Sequence, residues 1–168
     1  MTKAKVTLTG LATPASDDRA RFRGRLAVPF PFSPPLDPRT KGVRILLNDS
    51  TGGRVLDATI PGGAYDYATQ TGWKVNPSRT KWTYANGLGG IQGIVRVVVK
   101  APPSVPGQVD FIALGRNGAY PVPRPNIPVT ALFVLDSAAG QCGAATFPGP
   151  PPAPSCRFSA TGSTLSCK

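Results

Sequence analysis

The sequence predicts an all-β protein built as a two-sheet β-sandwich of the immunoglobulin-like or jelly-roll-like Greek-key type, with about ten strands and essentially no α-helix. The chain has 20 prolines and 19 glycines in 168 residues, and they punctuate short apolar runs as turn signals. It contains no glutamate and a single methionine, so strong helix formers are scarce. The apolar runs recur every 8 to 20 residues or so, a spacing typical of a sandwich or barrel.

The first predicted strand covers Lys3–Gly10. Val6 and Leu8 fall on one face and threonines on the other, as in a half-buried strand. The following segment, 11–18, is predicted to be flexible, so we expect a detached N-terminal strand that completes a neighbour's sheet by strand addition. Residues 1–12 are the candidate exchangeable segment, and the assembly strand within them consists of Lys5, Val6, Thr7 and Leu8.

The clearest strand covers Arg19–Leu26, where arginine occupies every second position. A period of two places all four guanidinium groups on one face of a sheet, about 7 Å apart along the strand. Such a row suits successive anionic groups on a polymer, although charges on a solvent face or an edge strand also deter aggregation. The candidate polyanion-binding residues are Arg19, Arg21, Arg23 and Arg25.

The middle of the chain alternates between strands and turns. Residues 28–38 contain five prolines, which lack the backbone donor that an interior strand needs, so they predict a crossover loop. Asn48–Gly53 is rich in turn residues and predicts a hairpin. The remaining predicted strands are 42–47, 54–60, 72–76, 79–84, 91–100, 108–114, 128–135 and 144–147.

All three cysteines lie in the C-terminal segment 140–168 of what we interpret as one domain, 1–168. A hairpin turning at Thr161-Gly162 would place Cys156 opposite Cys167, close enough for a disulfide. The rival pairing joins Cys142 to Cys156 across the proline-rich loop. Either disulfide leaves one odd thiol and favours an oxidising, extracellular or cell-surface location.

The N-terminus lacks the apolar core of a signal peptide, so the protein is either cytosolic or has lost a leader. No apolar run approaches the roughly 20 residues of a membrane span. Lysine and arginine outnumber aspartate by 19 to 8, giving a net charge of +11 that attracts acidic polymers. Histidine and glutamate, the usual general bases and common metal ligands, are absent. We therefore expect no enzymatic activity, no catalytic residue, no metal and no cofactor.

Five aromatic residues cluster beside basic residues, a combination found on faces that bind single-stranded nucleic acids and also compatible with a sandwich core. They are Tyr65, Tyr67, Trp73, Trp82 and Tyr84. Asp49 and Asp57, with nearby turn carbonyls, are too few acids to predict a calcium site.

The chain contains the runs Asp37–Leu47, Ala58–Asp66, Gly72–Asn76, Lys81–Tyr84, Gly93–Lys100 and Gly140–Gly149. Together these runs resemble uncharacterised bacterial extracellular β-domains with a cysteine-bearing C-terminal hairpin. The resemblance implies an exported β-sandwich, often part of a larger surface protein, and supplies no functional residues.

The expected function is an exported structural module that displays or self-assembles at the cell surface, such as a filament or appendage subunit using strand addition. Its partners would be copies of itself or a surface assembly. The alternative is a polyanion-binding domain that holds DNA or an acidic polysaccharide on its basic strand face.

Overall fold

The computed structural model describes residues 1–14, 16–87, 89–150 and 152–168 and is an all-β sandwich, as the sequence predicts. All pairings between the strands named below are antiparallel. The described strands are β1 (Thr2–Thr9), β2 (Asp18–Ala27), β3 (Val43–Asn48), β4 (Arg54–Ile60), β5 (Thr71–Val75), β6 (Lys81–Asn86), β7 (Ile94–Lys100), β8 (Gln108–Gly118), β9 (Thr130–Asp136), β10 (Gln141–Thr146), β11 (Cys156–Phe158) and β12 (Thr164–Cys167).

The strands divide unequally between the two sheets. The large sheet has eight strands in the order β11-β12-β1-β2-β8-β7-β6-β5, and the small sheet has four in the order β10-β9-β3-β4. Helical structure in the described ranges is limited to a four-residue helix, α1 (Pro38–Lys41), and a 3-10 turn at Arg124–Asn126. Within those ranges, no helix has the length and apolar composition needed to cross a membrane.

The core lies between the inner faces of the two sheets. Phe111 of β8 stacks on Phe133 of β9, with ring centroids 3.9 Å apart, and Phe22 of β2 meets Phe111 edge-on at 4.8 Å. The Phe111–Phe133 contact joins the large sheet to the small one, and the Phe22–Phe111 contact lies within the large sheet. Trp73 and Tyr84 extend the core beneath β5 and β6, where both side chains are buried. The alternation of apolar and polar residues along the strands thus gives each sheet one face in the core and one face outward.

Tyr120 packs its buried ring into a recess that only glycine leaves open. A Cβ atom on Gly115 would lie 2.3 Å from the Tyr120 hydroxyl, and one on Gly118 would lie 2.3 Å from its Cζ. The hydroxyl donates a hydrogen bond to the Gln92 carbonyl at 2.9 Å, and the Tyr120 N–H donates to Asp18 Oδ2 at 2.7 Å. Burial, reinforced by the charge of Asp18, raises the pKa of Tyr120 to about 12.

The N-terminal strand is not detached, which corrects that expectation for Lys5, Val6, Thr7 and Leu8. β1 lies inside the large sheet, paired with β2 on one side and with β12 on the other. Val6 and Leu8 are completely buried in the core. Both rows of backbone hydrogen-bonding groups are therefore used within the chain, because residues distant in sequence supply the second neighbour. Exchange of residues 1–12 between chains stays a prediction.

The C-terminal hairpin has the predicted register. Cys156 pairs with Cys167 and Phe158 with Leu165 across β11 and β12. The two cysteines form a disulfide with their Cα atoms 4.0 Å apart. Cys142 is a free, half-buried thiol on β10, so the rival pairing is not formed.

Candidate polyanion-binding face

The arginine row predicted from the sequence lies on the outer face of the large sheet. Arg19, Arg21 and Arg23 are exposed, whereas the intervening residues of β2, among them Phe22, are buried in the core. β2 is an interior strand, flanked by β1 and β8. The row is therefore presented from the body of the sheet and not from its edge.

Neighbouring strands shape a shallow groove along this row. Thr7 and Thr9 of β1 lie opposite Arg21 and Arg19, and Lys5 lies opposite Arg23. The groove has a volume of about 450 Å³, and arginine, lysine and threonine supply most of its polar lining. Guanidinium groups and hydroxyls donate hydrogen bonds to phosphate, sulfate or carboxylate oxygens. The complete lining consists of Lys5, Thr7, Thr9, Arg19, Ala20, Arg21, Arg23, Leu114, Gly115 and Arg116.

Basic residues continue across the same outer face well beyond the groove. The antiparallel registers align Arg21 with Arg96, and Arg23 with Lys74, in rows that cross the sheet. The face thus presents positive charge from one edge strand to the other. Its basic residues are Lys5, Arg19, Arg21, Arg23, Arg25, Lys74, Lys81, Arg96, Lys100, Arg116 and Arg157.

Arg25 differs from the other three members of the row because it has a carboxylate partner. Its Nε lies 2.8 Å from Asp110 Oδ1, and Asp110 also accepts a hydrogen bond from the Gln108 side chain at 2.9 Å. Nothing near Arg25 in the sequence indicates this partner, since Asp110 lies 85 positions further along the chain. Arg25 is therefore the end of the row at which the positive charge is partly neutralised. It is also only half exposed.

The two aspartates that precede the row in sequence form hydrogen bonds with residues other than the arginines. Asp17 accepts a hydrogen bond from the Thr13 hydroxyl at 2.7 Å, and Asp18 is buried beneath Tyr120. Among the described residues, neither aspartate forms an ion pair with the arginine row, whose members Arg19, Arg21 and Arg23 likewise have no carboxylate partner. The positive charge of this row is therefore uncompensated by the part of the chain that the structure describes.

The small sheet shows the opposite behaviour. Arg44 forms a two-pronged pair with Asp57, both contacts measuring 2.8 Å, and Arg54 approaches the same carboxylate at 3.0 Å. The Arg44 hydrogen bond, with further help from the charge of Arg54, lowers the pKa of Asp57. Lys41 pairs with Asp136 and lowers the pKa of that carboxyl group too. Charges around the small sheet are thus largely neutralised within the protein.

The aromatic cluster divides into core and surface residues. Trp73, Trp82 and Tyr84 are buried and belong to the core. Tyr65 and Tyr67 lie at the surface beside Lys74, whose ammonium group sits 3.7 Å from the first ring centroid and 5.3 Å from the second. Tyr67 is 80% exposed. The surface pair therefore adds a small aromatic element at the β5 edge of the basic face.

The two aspartates considered for calcium have other roles. Asp49 caps its own turn by accepting hydrogen bonds from Thr51 N and Gly53 N at 2.9 and 2.7 Å, and Asp57 is bound to Arg44. No group of three or more potential metal-ligating side chains occurs within the described ranges.

Comparison of the chain with family models, with curated proteins and with solved structures finds no match. The resemblance to bacterial extracellular β-domains accordingly stays a prediction.

Proposed function

We propose that this protein is a binding module for extended polyanions, DNA or an acidic polysaccharide, and that the outer face of the large sheet is its contact surface. The observation that carries the proposal is the contrast in pairing between the two sheets. Arg44 and Lys41 have carboxylate partners near the small sheet, whereas Arg19, Arg21 and Arg23 have none among the described residues. Unpaired, regularly spaced guanidinium groups suit a partner with repeating negative charge.

Protection against edge-to-edge aggregation does not account for the row. Charged side chains serve that purpose on edge strands, where unpaired backbone groups would otherwise recruit another sheet. β2 is an interior strand, and the edges of the large sheet are β11 and β5. The arginines therefore protect no exposed backbone edge, and this favours a role in contacting a partner.

Binding to a labelled DNA duplex, and in parallel to a labelled acidic polysaccharide, tests the proposal by fluorescence anisotropy. The variant carries Arg19→Ser, Arg21→Ser and Arg23→Ser. Each phosphate contact contributes about 0.9 to the slope of log affinity against log salt concentration for duplex DNA, so losing three should reduce that slope by about 2.7. Between about 50 and 200 mM salt, the wild-type protein should thus lose about fortyfold more affinity than the variant.

A charge-matched control replaces three exposed arginines outside the large sheet, Arg44, Arg54 and Arg124, with serine. It lowers the net charge by the same amount, so any effect of charge alone appears in both variants. The proposal predicts a much smaller change in slope for the control. Two results would contradict the proposal. One is that all three proteins have equal affinity for every polymer tested, and the other is that the two variants lose affinity equally.

A second proposal concerns location and assembly: the protein works as an exported structural module at the cell surface. The Cys156–Cys167 disulfide supports an oxidising environment.

Strand exchange would require β1 to leave both of its neighbours, and engineered cysteines can detect this. Thr7 lies opposite Arg21, so Thr7→Cys with Arg21→Cys, in a Cys142→Ser background, should cross-link within a single chain or between chains. Non-reducing gels that show only monomer would contradict exchange, and a ladder of oligomers would support it.

A further inference from the structure

A second concave site lies at one end of the sandwich, away from the basic groove. Three connections meet there: the loop after β2, the turn between β5 and β6, and the loop after β7. They enclose a pocket of about 680 Å³, within the size range of small-molecule sites. We call it the Phe–Pro pocket, defined by Phe30, Phe32, Leu36, Trp82, Pro103 and Val105.

The pocket exposes apolar side chains that the fold leaves uncovered. Phe30 is 60% exposed and Val105 is 45% exposed, and they are two of the three large apolar residues exposed in the described ranges. Phe30 and Phe32 pack edge-to-face with centroids 5.4 Å apart, while the buried Trp82 contributes to the lining from the core. Apolar surface concentrated in a concave site gains free energy when a ligand covers it.

The segments that carry the polar lining are held in place before any ligand binds. Asn76 Oδ1 accepts hydrogen bonds from Thr80 N and Lys81 N at 2.9 and 2.8 Å, which fixes the turn bearing Arg79. Arg39 lies on α1, where its carbonyl accepts a hydrogen bond from Gly63 N at 2.7 Å. A preformed site loses less conformational entropy on binding than a flexible one.

The charges in the lining favour a negatively charged ligand. Arg39 and Arg79 both line the pocket, and neither forms an ion pair within the described ranges. Asp37 is the acid of the lining, and its Oδ2 accepts a hydrogen bond from the Thr40 hydroxyl at 2.7 Å. Two arginines against one aspartate leave the pocket positively charged.

We infer that the Phe–Pro pocket binds an amphipathic organic anion. The apolar body of the ligand covers Phe30, Phe32 and Val105, and its carboxylate, sulfonate or phosphate group pairs with Arg39 and Arg79. This site is distinct from the basic groove, because Arg39 and Arg79 lie on segments of the chain that contribute nothing to the lining of that groove.

Two fluorescent probes of similar shape test the inference: anilinonaphthalene sulfonate, which is anionic, and N-phenylnaphthylamine, which is neutral. The wild-type protein should bind both, with energy transfer from tryptophan because Trp82 lines the pocket. Replacing Arg39 and Arg79 with glutamine should lower the affinity for the anionic probe roughly tenfold and leave the affinity for the neutral probe nearly unchanged. Phe30→Ser should weaken both probes roughly tenfold, since both lose apolar contact.

The matched control is the triple variant of the basic groove at Arg19, Arg21 and Arg23. It removes more positive charge but leaves the pocket intact, so both probes should bind it as they bind the wild type. Near-ultraviolet circular dichroism confirms that each variant is folded, which excludes binding to a loosened core. The inference would be overturned if neither probe bound the wild type. It would also be overturned if the control and the pocket variant lost affinity for the anionic probe equally.

Discussion

The uncompensated row on β2 should cost the protein stability, and Arg21 is the residue with which to test this. It lies between Arg19 and Arg23 on alternate positions of one strand, about 7 Å from each. Within the described ranges, none of the three has a carboxylate partner. Arg21→Gln removes the central charge and keeps a polar, outward side chain, so we expect the variant to be more stable than the wild type.

The size of the effect follows from Coulomb's law. Two unit charges about 7 Å apart in water repel by roughly 0.6 kcal/mol. Screening reduces this to about 0.5 kcal/mol at about 10 mM salt and to about 0.25 kcal/mol at about 150 mM. Arg21 has two such neighbours. Its replacement should therefore raise the free energy of unfolding by about 1 kcal/mol at the lower salt concentration and by about 0.5 kcal/mol at the higher.

Arg25→Gln is the matched control because it changes the same strand and the same face. Arg25 has one such neighbour, Arg23, and also pairs with Asp110, an interaction of about 0.2 to 1 kcal/mol, so its removal should leave the free energy of unfolding roughly unchanged or lower it. Urea denaturation at the two salt concentrations measures both variants, and urea is preferred to guanidinium chloride because it adds no ions. If Arg21→Gln is destabilising at low salt, or if its effect does not depend on salt, the arginines of the row do not repel one another.

Three further predictions concern the fold. Gly115→Ala should destabilise the protein by about 1 to 3 kcal/mol through its clash with the Tyr120 hydroxyl, and adding Tyr120→Phe should cost less than the sum of the two changes in urea denaturation. Replacing Cys156 and Cys167 with serine should lower the free energy of unfolding by about 3 kcal/mol, measured in the same way. Because the folded state lowers the pKa of Asp57, its ion pairs stabilise the protein above the unfolded pKa of about 3.9 and are lost as pH falls through the lower folded value. In the Asp57→Asn variant, the free energy of unfolding should therefore fall less steeply below about pH 5 than in the wild type. Urea midpoints measured against pH test this.

Features that depend on local sequence were predictable. The period of two in β2 identified which arginines face outward, because side chains alternate along any strand. The Thr161-Gly162 turn, only a few residues away, placed Cys156 opposite Cys167, although the sequence left Cys142 with Cys156 as a rival pairing. In both cases the interacting residues are close in sequence, so register and face can be read from spacing alone.

Features that depend on long-range pairing were not predictable. The N-terminal strand resembled a free arm because nothing near it in sequence shows that β12 pairs with it. The partner of Arg25 was missed for the same reason, since Asp110 reaches it through the pairing of β2 with β8. The Phe–Pro pocket is formed by loops from three parts of the chain, each of which alone resembles an ordinary proline-rich connection.

The two proposed sites differ in the shape of partner that they can accept. A row of charges on a broad sheet face can contact many groups of a polymer at once, but its groove is lined mostly by arginine, lysine and threonine and is poorly suited to an apolar body. The Phe–Pro pocket buries such a body but presents only two guanidinium groups, those of Arg39 and Arg79. Saturation of the basic face with DNA should therefore leave the affinity for the neutral naphthylamine probe unchanged. Displacement of that probe by DNA would instead show that one ligand spans both sites.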